Sequence, residues 1–458
     1  MRAFEKIIKK QLVAYFEENT LINDSQHGFR KGRSCLTQLL THYDEILKQI
    51  EEGNQVNVLY IDFEKCFDKI DFKILLNKLK LKGVKGKAYT WIKNFLTNRT
   101  FRVKVGIEMS EEEKVQSGIP QGTCLGPLLM LIMNSDIDVK IENGKVGTLA
   151  DDTKITNILQ CNADNYKMQN DLIALEQWSV ENNVKMNAEK FVLLCYNKSS
   201  HIVNNLTLQS GLVIPERNGT RDLGVWMDNN AKFTNHIENV TTSCRKIMSM
   251  IFRSFITRND QIMMTLFKSL ILSRIDYCSV LWNPSSLVDL RKIEGIQATF
   301  THRLECAINE EGQRRNYWER LKYLKMYSIE RRFERYTVIY VWKIKQGLVH
   351  NPGILFKNQD SRKGLMCKIP KCTSTLRRSS FLVNGPRLFN SLPKEIREFQ
   401  FDYLVTESQA ITNFKRTLDE YLTRIPDEPN RGSGYSSSIS GMSITGDRTN
   451  SIVRINNH

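Results

Sequence analysis

Lys145-Val146-Gly147-Thr148-Leu149-Ala150-Asp151-Asp152-Thr153-Lys154-Ile155 places two adjacent carboxylates between short runs that can each form a strand. Asp-Asp between β-prone flanks reads as the turn of a hairpin, and such a turn holds both carboxylates at a rigid, exposed tip. Hard oxygen donors at a fixed tip suit Mg²⁺, which keeps several waters and takes one or two protein carboxylates together with substrate phosphates. Asp is also a common turn residue, so the pair by itself reads first as a solvated turn. The surrounding chain decides between the two.

Working outward, Val56-Asn57-Val58-Leu59-Tyr60-Ile61-Asp62 reads as a buried strand that ends in a carboxylate, with a helix following through about Leu81. An apolar strand with Asp at its C-terminal end projects that group from a sheet edge. Asp62 and Asp151 are 89 residues apart in sequence, so they meet only if their strands are neighbours. A helix around Trp91 to Leu96 then leads to an expected strand over Thr100 to Ile107. Between these and the hairpin lies Ser117-Gly118-Ile119-Pro120-Gln121-Gly122-Thr123-Cys124-Leu125-Gly126-Pro127, a tight Gly/Pro loop with Pro127 placed for the first turn of the apolar helix Leu128 to Met133. Gly122 lets a ligand approach the backbone, and Gln121 offers a donor and an acceptor there.

At the start of the chain, Phe4, Ile7, Ile8, Leu12, Tyr15 and Phe16 form the 3.6-residue stripe of an amphipathic helix. The segment Gln26-His27-Gly28-Phe29-Arg30-Lys31-Gly32-Arg33-Ser34 is a Gly-punctuated basic loop, and Ser34 can cap the helix that follows through Ile50. Glycines beside cations permit close approach to phosphates, although a solvated basic loop has the same composition.

Composition narrows the function classes. The 458 residues are 41% hydrophobic and 25% charged, ordinary globular values that allow two or three domains. No apolar run approaches the roughly 18 residues that span a bilayer, and the N-terminus lacks the h-region of a secretory signal, so an intracellular protein of nucleus or cytoplasm with no membrane partner is expected. Ten scattered cysteines, with no CxxC pair, read as reduced thiols rather than a disulfide framework or a zinc site. Charge is unevenly placed: residues 1–230 hold 30 Lys+Arg against 29 Asp+Glu, whereas the whole chain is +16. A nearly neutral half followed by a strongly basic one suggests a polyanion grip, and nucleic acid is the expected polyanion.

Taken in order, QHGFRKGRS, LYIDFEKCFDKIDFKILLNKL, SGIPQGTCLGPLL, LADDTKI, WSVENNVKMNAEKFVLL and RDLGVWMD resemble the reverse transcriptase of non-LTR, LINE-like retrotransposons, particularly the Jockey and CR1-like group. The likeness continues into RSSFLVNGPRLFNSLPKEIR and covers most of residues 1–425. It implies an α+β fold: a right-hand polymerase palm, an antiparallel sheet with helices, and partial fingers over 1–228. A helical thumb-like region over 229–350, a basic C-terminal region over 351–425 and a disordered tail over 426–458 would follow. It also implies a 5′-truncated element copy without the upstream endonuclease or the finger segment that precedes Phe4 in relatives. Leu149 stands where the family usually has Phe or Tyr before Ala-Asp-Asp.

Carried across residue by residue, the resemblance makes Asp62, Asp151 and Asp152 the metal-binding carboxylates for two Mg²⁺ ions, with Mn²⁺ as a substitute. Phe67 resembles the aromatic gate that rejects a 2′-hydroxyl, and Gln121 and Gly122 the contact with the nascent base pair. Arg30, Lys31 and Arg33 would lie near the triphosphate, and Lys190 would supply the proton to departing pyrophosphate. The implied activity is RNA-directed DNA polymerisation, with an RNA template, a DNA primer or target and dNTPs as partners. The alternative is a catalytically inactive remnant that only binds nucleic acid. An RNA-making polymerase is disfavoured by Phe67. Arg245, Lys246, Arg253, Arg258, Lys268 and Arg274 would face a duplex backbone, and Tyr317, Trp318, Tyr323 and Trp342 read as core rather than base-stacking platforms.

Overall fold

The computed structural model describes residues 2–198, 205–358, 364–400, 405–425 and 427. The expected tail over 426–458 lies outside the described residues except for Asp427. The chain forms two compact units, one from Met1–Gln38 and Glu52–Leu223, the other from Leu39–Glu51 and Gly224–His458.

The first unit is built on five strands: β1 (Gln55–Ile61), β2 (Lys145–Leu149), β3 (Asp152–Leu159), β4 (Val192–Tyr196) and β5 (Glu216–Arg217). Their order across the sheet is β2-β3-β1-β4-β5, antiparallel except for the short β4–β5 pair. The apolar run of β1 takes the centre because it is buried almost throughout, with Val58 opposite Thr156 on one side and Leu194 on the other. Helices Phe72–Leu81, Gly126–Met133 and Asn165–Glu181 share one core with it, bringing Leu75, Leu129 and Trp178 against Leu59 and Ile61. Helix Gly126–Met133 is apolar all round and buried save for Pro127, as a helix lying inside a core must be. The opening amphipathic helix runs Arg2–Glu18 and buries Leu12 and Phe16. Ser34 meets the next helix, Cys35–Glu51, through the amide of Thr37 at 3.3 Å.

The expected strand over Thr100 to Ile107 is instead two ribbons. Thr100–Phe101 pairs with Glu113–Lys114, and Lys104–Val105 with Glu108–Met109. The break follows from Gly106 at φ 63°, which turns the chain back between Val105 and Glu108.

The second unit is mainly helical. Thr234–Ser254, Leu287–Thr301, Ile329–Lys345, Phe381–Asn390 and Glu407–Leu422 are its longer helices among the described residues. The helix that begins at Asp260 is α-helical through Leu266 and becomes a π-helix over Phe267–Leu272. Aromatic packing knits the unit: Trp342 stacks on Phe414 with centroids 4.3 Å apart, and Phe267 meets Phe300 at 4.6 Å. Tyr317, Trp318 and Trp342 are core residues, while Tyr323 is exposed beneath the Arg315 guanidinium. Arg245, Lys246, Arg253, Lys268 and Arg274 are exposed. Arg258 differs, because its guanidinium donates to the carbonyls of Phe252, Phe255, Ile256 and Thr257.

Candidate active site

The pairing of β1 with β3 sets Ile61 opposite Thr153, so Asp62, which follows Ile61, and Asp152, the first residue of β3, come side by side at one end of the sheet. A separation of about 90 residues along the chain is thereby closed by one register. The hairpin itself corrects the sequence reading by one residue. Leu149 pairs with Asp152, so the turn is Ala150-Asp151 rather than Asp151-Asp152, and Ala150 carries the positive φ of 61°. Asp151 sits at the tip, whereas Asp152 opens a strand and is held by its ladder.

Asp62, Asp152 and Lys190 line one open cavity of about 160 Å³ together with Gln38, Tyr60 and Asp222. Lys190 reaches Asp62 at 3.1 Å, and its short helical turn is fixed by the Asn187 amide, which donates to the Asp62 carbonyl at 2.8 Å. Behind Asp152, Lys154 and Asp222 form a buried ion pair. The crowding is visible in proton affinities. Burial first, then Asp151, Asp222 and Asp62, push the Asp152 carboxyl up from 3.8 to about 6. Burial, followed by Asp151 and more weakly Asp62, pushes the Cys66 thiol up to about 12, so both carboxylates act on that one group.

Such a surplus of negative charge on hard oxygen donors fits a divalent cation and would repel an anionic ligand. Among the described residues no three His, Cys, Asp or Glu side chains are already drawn together at metal-binding spacing. The carboxylates share a field without forming a closed coordination shell.

The segment after Asp62 is tied to the Gly/Pro loop. Ile119 donates to the Phe67 carbonyl at 2.8 Å, Gly118 to the Ile70 carbonyl at 2.9 Å, and the Gln121 amide to Asp68 at 2.8 Å. Gly118 is required there: a Cβ would lie 2.5 Å from the Asp68 carbonyl oxygen. Half-buried Phe67 and exposed Gln121 are therefore held on two strips that are bonded to each other. Gly122 stands at φ 75° with open space around it.

The basic loop is arranged differently from the expectation. Arg30 makes a two-pronged pair with Glu17, at 2.6 and 2.9 Å, and also donates to the Asn23 carbonyl. Arg33 pairs with Asp24 at 2.6 Å, and Lys31 is exposed. The arginines thus stabilise the loop they belong to. The residue of this motif that reaches the turn carrying Asp151 is Gln26, which bonds the backbone of Ala150. Neither this nor the roles of Asp68, Lys154 and Asp222 is visible in the sequence; only the position of Asp222 in RDLGVWMD offers a signal.

Comparison with known proteins gives the family. The family profile described as reverse transcriptase (RNA-dependent DNA polymerase) matches residues 1–228. A probable RNA-directed DNA polymerase from transposon X-element of Drosophila melanogaster is 24% identical over 306 residues, covering 65% of this chain and 33% of that protein. The RNA-directed DNA polymerase from mobile element jockey of the same species is 26% identical over 317 residues, covering 67% and 34%. The chain therefore spans about a third of the length of the curated relatives it matches. Among solved structures, telomerase from Candida albicans in complex with a fragment of telomeric RNA aligns at 12% identity and a TM-score of 0.37, covering 70% of this chain and 54% of that one. Residues 1–228 are a domain of the reverse transcriptase (RNA-dependent DNA polymerase) family.

Proposed function

We propose that the chain is an RNA-directed DNA polymerase of a non-LTR retrotransposon that adds deoxynucleotides to a primer 3′-hydroxyl on an RNA template. The observation that carries this reading is the β1–β3 register, which sets Asp62 beside Asp152 in a cavity also lined by Lys190. Asp62, Asp151 and Asp152 would hold two divalent cations, Mg²⁺ or Mn²⁺. When bound, such ions activate the attacking hydroxyl and stabilise the leaving group in phosphoryl transfer.

The chain's own groups divide the remaining work. Lys190, 3.1 Å from Asp62, would give a proton to the departing pyrophosphate. Phe67 would lie under the incoming sugar and reject a 2′-hydroxyl. Gln121 and Gly122 would support the new base pair, where the open face at Gly122 admits it. The exposed cations Arg245, Lys246, Arg253, Lys268 and Arg274 would neutralise backbone phosphates of the template–primer duplex.

The test is extension of a DNA primer annealed to RNA by the purified chain with Mg²⁺ and dNTPs, alongside Asp151→Asn. That substitution keeps shape and removes one charge, so template binding should persist while extension falls at least about a hundredfold, some 2.7 kcal/mol at the barrier. No extension by the parent chain would leave nucleic-acid binding as its activity. Equal extension by Asp151→Asn would refute the assignment of the carboxylates.

A further inference from the structure

The turn that carries Asp151 is held in an unfavourable conformation. Ala150 has φ 61°, a region that alanine avoids because its Cβ crowds the following carbonyl. A two-residue turn cannot enforce this alone when the positive-φ residue is not glycine, so a partner must hold it. That partner is Gln26, a buried side chain 124 residues earlier in the chain. Its Oε1 accepts the Ala150 amide at 2.9 Å and the Gly28 amide at 2.7 Å, while its Nε2 faces the Ala150 carbonyl at 3.4 Å.

The surrounding backbone repeats the grip. The His27 amide donates to the Thr148 carbonyl at 2.9 Å, and the Thr148 amide to the Ser25 carbonyl at 3.1 Å, so residues 25–27 bridge to the edge of β2 just before the turn. Gly28 lies so close that a Cβ there would sit 2.5 Å from the Ala150 nitrogen. From the other side, the Asn134 side chain donates to the Ala150 carbonyl at 3.3 Å. Both polar backbone groups of one residue are thus claimed by side chains from outside the hairpin, next to the Asp151-Asp152 pair.

We propose that Gln26 is a positioning residue for the polymerase reaction: by clamping the backbone of Ala150 it fixes where the Asp151 and Asp152 carboxylates point, without touching substrate itself. The proposal rests on the polymerase reading above. Gln26 stands one peptide from the first carboxylate, and displacement of a reacting group by about 1 Å can cost on the order of a hundredfold in rate. A clamp of this kind acts on kcat through cation placement and leaves nucleotide affinity nearly unchanged.

The experiment compares the parent chain with Gln26→Met, which keeps length and shape but loses both polar groups, and with Gln26→Asn, which keeps the buried site polar but falls one methylene short. Three quantities are measured: amide exchange over residues 146–155 against 55–61, Mn²⁺ affinity by electron paramagnetic resonance, and single-nucleotide extension. Gln26→Met is expected to speed exchange at the turn at least tenfold with β1 unchanged, weaken Mn²⁺ binding several-fold, and lower kcat about tenfold or more with KM for dNTP within twofold. Gln26→Asn should fall between, and it decides the matter if Gln26→Met does not fold. Faster turn exchange with unchanged kcat and Mn²⁺ affinity would overturn the proposal, as would a loss confined to KM. If the parent neither extends a primer nor binds Mn²⁺, the polymerase reading fails separately, and the clamp stands or falls on exchange at the turn.

Discussion

Asp152→Asn should make the metal-free chain more stable while abolishing its activity. The Asp152 carboxyl is pushed from 3.8 up to about 6, first by burial and then by Asp151, Asp222 and Asp62. At about 1.4 kcal/mol per tenfold change in proton affinity this is at most about 3 kcal/mol. The residue is exposed to solvent, so screening cuts the figure to about 1 kcal/mol. The sign follows from linkage. A carboxyl that holds its proton more tightly in the folded state costs nothing below its unfolded value; the cost grows as pH rises from about 4 and is complete above about 6. Asn carries no such cost. In EDTA at pH 7.5, Asp152→Asn should therefore melt about 2–4 °C above the parent, the shift that 1 kcal/mol produces in a unit of this size. The gain should vanish near pH 4. Added Mg²⁺ should reverse the order, because a cation that binds the folded parent stabilises it in proportion to its occupancy and the variant binds it less well. Differential scanning fluorimetry across pH with EDTA or Mg²⁺, beside primer extension, measures all of this. An Asp152→Asn chain no more stable than the parent in EDTA at pH 7.5, or a gain that persists at pH 4, would refute the repulsion argument.

Phe67→Ala should keep dNTP incorporation measurable while admitting ribonucleotides, because the clash with the 2′-hydroxyl is relieved; parallel single-nucleotide extension with dNTP and NTP checks it, and unchanged discrimination would remove Phe67 from the role. If the five exposed cations Arg245, Lys246, Arg253, Lys268 and Arg274 each neutralise a phosphate, duplex affinity should fall about five-hundredfold between 50 and 200 mM salt, taking about 0.9 per contact for the slope. A flat response in fluorescence anisotropy would leave them as surface charge. In the second unit, Glu294 is fully buried, accepts from the Tyr317 hydroxyl and the Ile329 amide, and is pushed by burial up to about 8. The cost of ionising it is absent below its unfolded value of 4.5, grows as pH rises and is complete above about 8, so the parent should lose thermal stability between about pH 5 and 8 and Glu294→Gln should not. Equal slopes in the two chains would contradict it.

Much of the first unit is legible from local pattern. The apolar run before Asp62 calls for an interior place in the sheet, and β1 lies at its centre. Pro127 and Ser34 mark helix starts through chemistry that acts within a few residues, and both starts are where they are expected. The failures have a common physical cause. Asp151-Asp152 and Ala150-Asp151 are equally short turns, and the choice is made by the pairing of Leu149 with Asp152, a cross-strand contact that composition does not encode. Arg30 and Arg33 read as free cations because sequence shows their charge but not Glu17 and Asp24, which neutralise them in the fold.

The same distinction separates what a motif shows in sequence from what its residues do in the fold. QHGFRKGRS attracts attention through its cations, yet the arginines close the loop on itself and the neutral Gln26 reaches the turn that carries Asp151. A glutamine has no charge pattern or periodicity to mark it, and its partner is the backbone of an alanine 124 residues away. Charge here serves to make the loop rigid: with Arg30 held by Glu17 and the Asn23 carbonyl, the chain at Gln26 has few other conformations available. The arginines would then influence catalysis at one remove, through the precision with which Gln26 meets Ala150. Arg30→Met should accordingly loosen exchange at the turn as Gln26→Met does, but less. A direct contact with the triphosphate would appear instead as a rise in KM for dNTP, with exchange at residues 146–155 unchanged.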